Sequence, residues 1–128
     1  MQGTHGMNLI ESERGLSLEE HQWFSKLLSE SFEGRDGLKE QVKKCSVVGR
    51  CGCGCRTIDL KVEESAPKHF FETRVPVEML VQTDDGIPIV FYLHVVDGYI
   101  KELEVFKADS SPIVRMPDIS KALVTINV

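Results

Sequence analysis

The chain has 128 residues, 41% hydrophobic and 27% charged, and its fifteen basic and twenty acidic side chains give a net charge of −5 and a pI near 5.4. That composition excludes a disordered chain, the length leaves little room for two domains, and the acidic balance argues against nucleic acid, whose phosphates are held by clustered Lys and Arg. No segment approaches the ~18 apolar residues that span a bilayer, and Met1–Met7 has no basic-then-apolar export pattern, so a cytoplasmic location with unoxidised cysteines is expected.

One domain over residues 1–128 is expected, with residues 1–14 a flexible leader. Ser17-Leu18-Glu19-Glu20 reads as a capping box. Leu18, Trp23, Phe24, Leu27, Leu28 and Ser31 recur at helical spacing behind it, ending at Glu33-Gly34. A short second helix is expected over Asp36–Lys43, with Leu38 and Val42 on one face. The period then falls to two. Strands are expected at Cys45–Val48, Arg56–Glu63 and Val75–Thr83, the last with Pro76 marking its start. Ile87–Val96 and Tyr99–Lys107 follow, joined by Asp97-Gly98, a pair suited to the positive φ angles of a type I′ hairpin turn. Pro117–Leu123 opens a helical turn and Val124–Val128 a last short strand. Helices first and strands after indicate an α+β fold: an N-terminal helix packed on an antiparallel meander of about five strands.

The two-residue turn sets Val96 against Tyr99 and Val95 against Ile100. Strict alternation then puts Glu102 opposite Leu93 and Glu104 opposite Phe91, on one face. Paired carboxylates serve three purposes: a solvated stripe, acid–base work when one is desolvated, or a seat for Lys and Arg of a partner. No companion base, nucleophile elbow or phosphate loop accompanies them, which speaks against an enzyme. Asp84 and Asp85, at the turn before Ile87, extend the acidic candidate surface. His94, beside Lys101, is the histidine worth examining.

Cys51-Gly52-Cys53-Gly54-Cys55, with Cys45 upstream, is the least ordinary stretch. Four thiolates suit tetrahedral zinc, but Cys-x-Cys-x-Cys is a poor knuckle: extended, same-face residues lie ~6.5–7 Å apart, so Gly52 and Gly54 would have to fold the loop. Buried structural cysteines, or a redox site flanked by Arg50 and Arg56, are the other readings.

From the Cys51–Cys55 run and the Arg56–Val62 strand through the Phe91–Phe106 hairpin with Glu102-Leu103-Glu104, the chain resembles a group of small uncharacterised bacterial proteins. Some of that group sit in toxin–immunity loci, including contact-dependent growth inhibition. The resemblance covers residues 17–117 and carries no catalytic residues. It implies an immunity protein that neutralises a toxin by stoichiometric binding; the acidic balance suits a basic toxin domain, and the candidate surface read from the hairpin register and the turn before it is Glu102, Glu104, Asp84, Asp85 and Phe91. The alternative is a small zinc domain using Cys45, Cys51, Cys53 and Cys55.

Overall fold

The computed structural model describes residues 7–51 and 54–128. The capping box forms as its residues predict. Ser17 Oγ accepts the Glu20 amide at 3.1 Å, Glu20 Oε1 accepts the Ser17 amide at 2.9 Å, and helix α1 runs over Leu18–Leu27. Trp23, Phe24, Leu27 and Leu28 make its buried stripe. Leu18 does not join them and stays 76% exposed. Nine residues at 3.6 per turn place it about two and a half turns from Leu27, on the opposite side of the helix. Helix α2 spans Arg35–Lys43 and buries Leu38 and Gln41.

The other elements are strands: β1 (Met7–Arg14), β2 (Cys45–Cys51), β3 (Ile58–Val62), β4 (Val77–Val81), β5 (Ile89–Val96), β6 (Tyr99–Lys107) and β7 (Leu123–Ile126). They join in one antiparallel sheet of order β1-β2-β3-β6-β5-β4-β7. The fold is α+β, but mostly sheet. Among the described residues there are seven strands instead of about five, and the first element is a strand, not a helix. Met7–Arg14, expected in a leader, pairs with β2 through backbone groups that any sequence carries. Nor is the sheet a plain meander, because β3 pairs with β6, and β7 returns to lie beside β4.

Both helices pack on one face. Ile89, Phe91, Leu93 and Val95 of β5 point into that core, where Trp23 meets Phe91 edge-on at 5.4 Å between ring centroids. The hairpin turn is as expected, with φ of 53° at Asp97 and 85° at Gly98. Its register is not. Val96–Tyr99 and Val95–Ile100 pair, but His94 then opposes Glu102, leaving Lys101 as the extra residue of a β-bulge. Below it Leu93 faces Leu103, Tyr92 faces Glu104 and Phe91 faces Val105. The expected pairings of Glu102 with Leu93 and Glu104 with Phe91 are therefore replaced. Strict alternation would have turned both carboxylates toward the helices and Leu103 and Val105 to solvent, whereas those two apolar residues are fully buried.

A buried amide locks this hairpin to α2. Gln41 Nε2 donates to Gly98 O at 2.8 Å and to Pro67 O at 2.7 Å, and Gln41 Oε1 accepts the Ile100 amide at 2.8 Å. Replacing it with leucine strands the buried Ile100 N–H without its acceptor. Gln41→Leu is expected to lower unfolding free energy by about 2 kcal/mol, measured as a fall in the urea midpoint at unchanged m-value. A second expectation concerns acid. Burial raises the Glu20 pKa, but the bidentate Arg14 guanidinium (2.8 and 3.0 Å) and the Ser17 amide outweigh it, so the net shift is downward. A carboxyl depressed on folding stabilises above its unfolded pKa, and that stabilisation fades as pH falls through the folded value. Melting temperature should thus drop more steeply below about pH 4.5 in the native chain than in Glu20→Gln; parallel curves would refute the assignment.

Candidate functional site

With both helices on one side, the opposite face of the sheet carries the polar half of every central strand. Cross-strand pairing orders it into rows. Leu123, Leu80, Val90 and Phe106 make an apolar row across β7, β4, β5 and β6. Beside it run Glu78, Tyr92 and Glu104, and then His94, Glu102 and Asp59, the last from β3. Leu123 is 70% exposed at the edge strand, and the inner members of the rows are half-buried. The Tyr92 ring stands edge-on to Phe106 at 5.5 Å and to the His94 imidazole at 6.5 Å. Carboxylates and aromatics thus share one surface. Asp59 faces Glu102 directly across the ladder.

At the centre lies a hydrogen-bonded chain. Arg74 Nε donates to His94 Nδ1 at 2.9 Å, so the ring proton sits on Nε2, which donates to Glu104 Oε1 at 2.8 Å. His94, Glu102 and Glu104 also bring one ligand atom each within 4.8 Å of one another, a donor set of the kind that takes a divalent cation. Arg74 works against that use. A metal on Nε2 needs Nδ1 to carry the proton and donate it to an acceptor, whereas Nδ1 here faces a guanidinium donor. The trio is built to hold Glu104 in place.

Toward the end of β6, Glu102, Glu104 and Phe106 border a cavity of about 430 Å³ whose far wall is Cys51, Cys55 and Thr57. The Cys51 amide donates to Thr57 O at 3.1 Å. Thr57 is itself buried, its Oγ1 accepting the Val105 amide at 2.9 Å. Gly54, at φ 97°, lies under Pro112, which a Cβ would meet at 3.1 Å, and its carbonyl accepts the Ile113 amide at 3.0 Å. Glycine is required there for both conformation and space.

The residues expected to form the acidic surface part company. Glu102 and Glu104 are together, opposite Tyr92 and His94. Phe91 is not a surface residue at all; it is fully buried against Trp23, because the unbroken alternation of β5 turns its odd positions to the helices, and the bulge in β6 brings Leu103 and Val105, not Glu102 and Glu104, onto that face beside it. Asp84 and Asp85 lie at the β4–β5 turn, on a different cavity. Lys107, Thr83 and the Ile87 amide all bond to Asp85, holding its carboxyl well below the usual carboxylate range. Tyr92, Asp59, Glu78 and Arg74 were not marked by any motif.

The four-cysteine zinc set does not assemble as expected. Cys45 and Cys51 stand at opposite ends of β2. Six residues of strand separate them by about 20 Å, against the roughly 4 Å between two thiolates on one zinc. Cys51 is disulfide-bonded, contrary to the expectation of thiols or metal ligands, while Cys45 is a thiol. Cys53 lies outside the described residues.

The molecule is thus a two-layer protein, two helices on one face of a seven-stranded antiparallel sheet and an acidic, aromatic surface on the other. The chain belongs to the family described as Domain of unknown function (DUF6984), whose model matches residues 13–117. No curated protein and no solved structure matches it.

Burial pushes the Cys45 thiol up to about 11, with its Sγ donating to Val42 O at 3.3 Å. At pH 8 only about one part in a thousand is thiolate, the reactive form. Alkylation of Cys45 by iodoacetamide should therefore climb about tenfold per pH unit from pH 8 to 10, measured by peptide mapping on the folded chain; a plateau below pH 9 would contradict the burial argument.

Proposed function

We propose that this chain is a binding protein that neutralises a basic bacterial toxin domain by direct stoichiometric contact, and that the open face of the sheet is the docking surface. The observation that carries this reading is the row pattern itself. An apolar row of Leu80, Val90 and Phe106 is flanked by Glu78, Glu104, Glu102 and Asp59. Stable interfaces pair a desolvated apolar and aromatic centre with a polar margin, and clustered charge of one sign selects and steers a partner of the other.

The reading moves the expected surface. Glu102 and Glu104 stay in it, Tyr92 and Phe106 replace the buried Phe91, and Asp85 leaves because Lys107 occupies it. The resemblance to immunity proteins supplies the toxin, and the net charge of −5 supplies the sign of the partner's charge.

The test is capture of the partner on the full chain in the native host, followed by titration at several salt concentrations. A basic toxin domain binding one to one is expected. The double variant Glu102→Gln/Glu104→Gln should weaken it by about tenfold or more and flatten its salt dependence. Equal affinity and equal salt slope for the two forms would remove this surface from the interface.

A further inference from the structure

Between its two helices this acidic chain gathers cations over an apolar floor. On α1 and its C-cap, His21, Ser25 and Leu28 follow one another at helical steps of four and three residues, and Arg35, Lys39 and Val42 do the same on α2. The two stripes wall a groove of about 390 Å³, with Phe24 and Lys43 beside them. Phe24 and Leu28 are buried beneath it and Val42 is half-buried. His21, Lys39 and Lys43 stand exposed at the rim. Arg35 is half-buried and fixed, its Nη1 donating to Leu28 O at 2.9 Å. The described residues that line the groove include no carboxylate. Asp36 and Glu40, on neighbouring positions of α2, pair with Arg35 and Lys43 at 2.8 and 2.9 Å, and Lys39 between them has no ion pair among the described residues.

We propose that the α1–α2 groove binds a small amphipathic carboxylate, an alkyl chain of medium length that ends in one anionic head. Size selects a small molecule over a protein. Stable protein interfaces engage roughly 20–30 residues a side, whereas a handful of side chains from two short helices line this groove. Its volume falls in the range of about 300–1,000 Å³ that small-molecule sites occupy. Charge selects the head. Four-residue steps at 1.5 Å per residue set Lys39 about 6 Å along the helix from both Arg35 and Lys43, so a carboxylate held by Lys39 lies within the field of all three cations. Ser25, exposed on the α1 wall, adds a hydroxyl donor. The alkyl chain runs over Leu28 and Val42 and along the methylene stems of the lysines. The groove belongs to the helix layer, on the far side of the sheet from the open face, so it does not rest on the docking reading above.

The experiment titrates the isotope-labelled full chain with four probes and follows its amide resonances. Octanoate carries both chain and charge, octanol the chain alone, acetate the charge alone, and a glutamate-rich peptide stands in for an acidic protein segment. Octanoate should shift the amides of Phe24, Leu28, Lys39 and Val42 with a Kd below about 1 mM, and octanol and acetate should each bind at least about tenfold more weakly. Added salt should weaken octanoate and leave octanol unchanged. Lys39→Gln and Ser25→Glu, both at exposed positions, should each lower octanoate affinity several-fold at unchanged melting temperature. The probe and salt arms use the native chain and stand even if a variant misfolds. Octanol or acetate binding as tightly as octanoate, or shifts confined to residues outside the two helices, would overturn the proposal. So would tighter binding of the peptide, or groove shifts that follow protein concentration without any probe, which would give the groove to a protein segment or to a second copy of the chain.

Discussion

Between Ile100 and Leu103 the chain sets two polar residues, Lys101 and Glu102, where an alternating strand has room for one, and the sheet takes up the surplus as a bulge. Everything on both faces of the hairpin depends on that single unpaired position. Above it Ile100 points to the helices; below it Leu103 and Val105 do, and the carboxylates between them are turned outward. Without the slip the core would have to bury Glu102 and Glu104 unpaired, at several kcal/mol each. The same slip sets His94 against Glu102 and Tyr92 against Glu104, which composes the open face. Core and site are two consequences of one backbone irregularity.

A bulge leaves backbone groups without their ladder partners, and something else must satisfy them. Here the Ile100 amide, next to the surplus residue, is bonded by Gln41 of α2, which also holds the turn carbonyl of Gly98. Gly98 O takes a second bond from the His69 amide. The hairpin tip is thus tied to the second helix and to the 67–69 loop, and the helices' position on the sheet is fixed as much by this polar contact as by Trp23 on Phe91. A buried glutamine in full hydrogen bonding gives directional specificity that apolar packing lacks.

Elements written in local chemistry were legible in the sequence. Ser17 and Glu20 announced α1, and Asp97-Gly98 announced the turn, because capping and positive φ act within four residues of chain. The bulge was also written, in the jump of apolar spacing from Ile100 to Leu103, but a rule of strict alternation reads past it. Strand β1 had no such mark. An edge strand gains its place by backbone pairing, and Met7–Arg14 has no clean two-residue period to show it. Gln41 looked like one more polar helix residue, since its partners lie 26, 57 and 59 positions away. The rows of the open face were illegible for the same reason: Asp59, Glu78, Tyr92 and Glu104 meet only once the strand order is known.

That strand order also explains how an acidic chain keeps two fields apart. Glu102 and Glu104 stand on the face away from the helices, while Arg14 reaches Glu20 at the start of α1, on the side of the core. Cys51, Cys55 and Thr57 border two cavities, one lined by Glu102 and Glu104 and the other by Arg14, Arg50 and Arg56. At contact distances such charges are weakly screened, whereas across about 10 Å of salt solution they fade. The carboxylates of the open face are therefore felt mainly by whatever lies against that face.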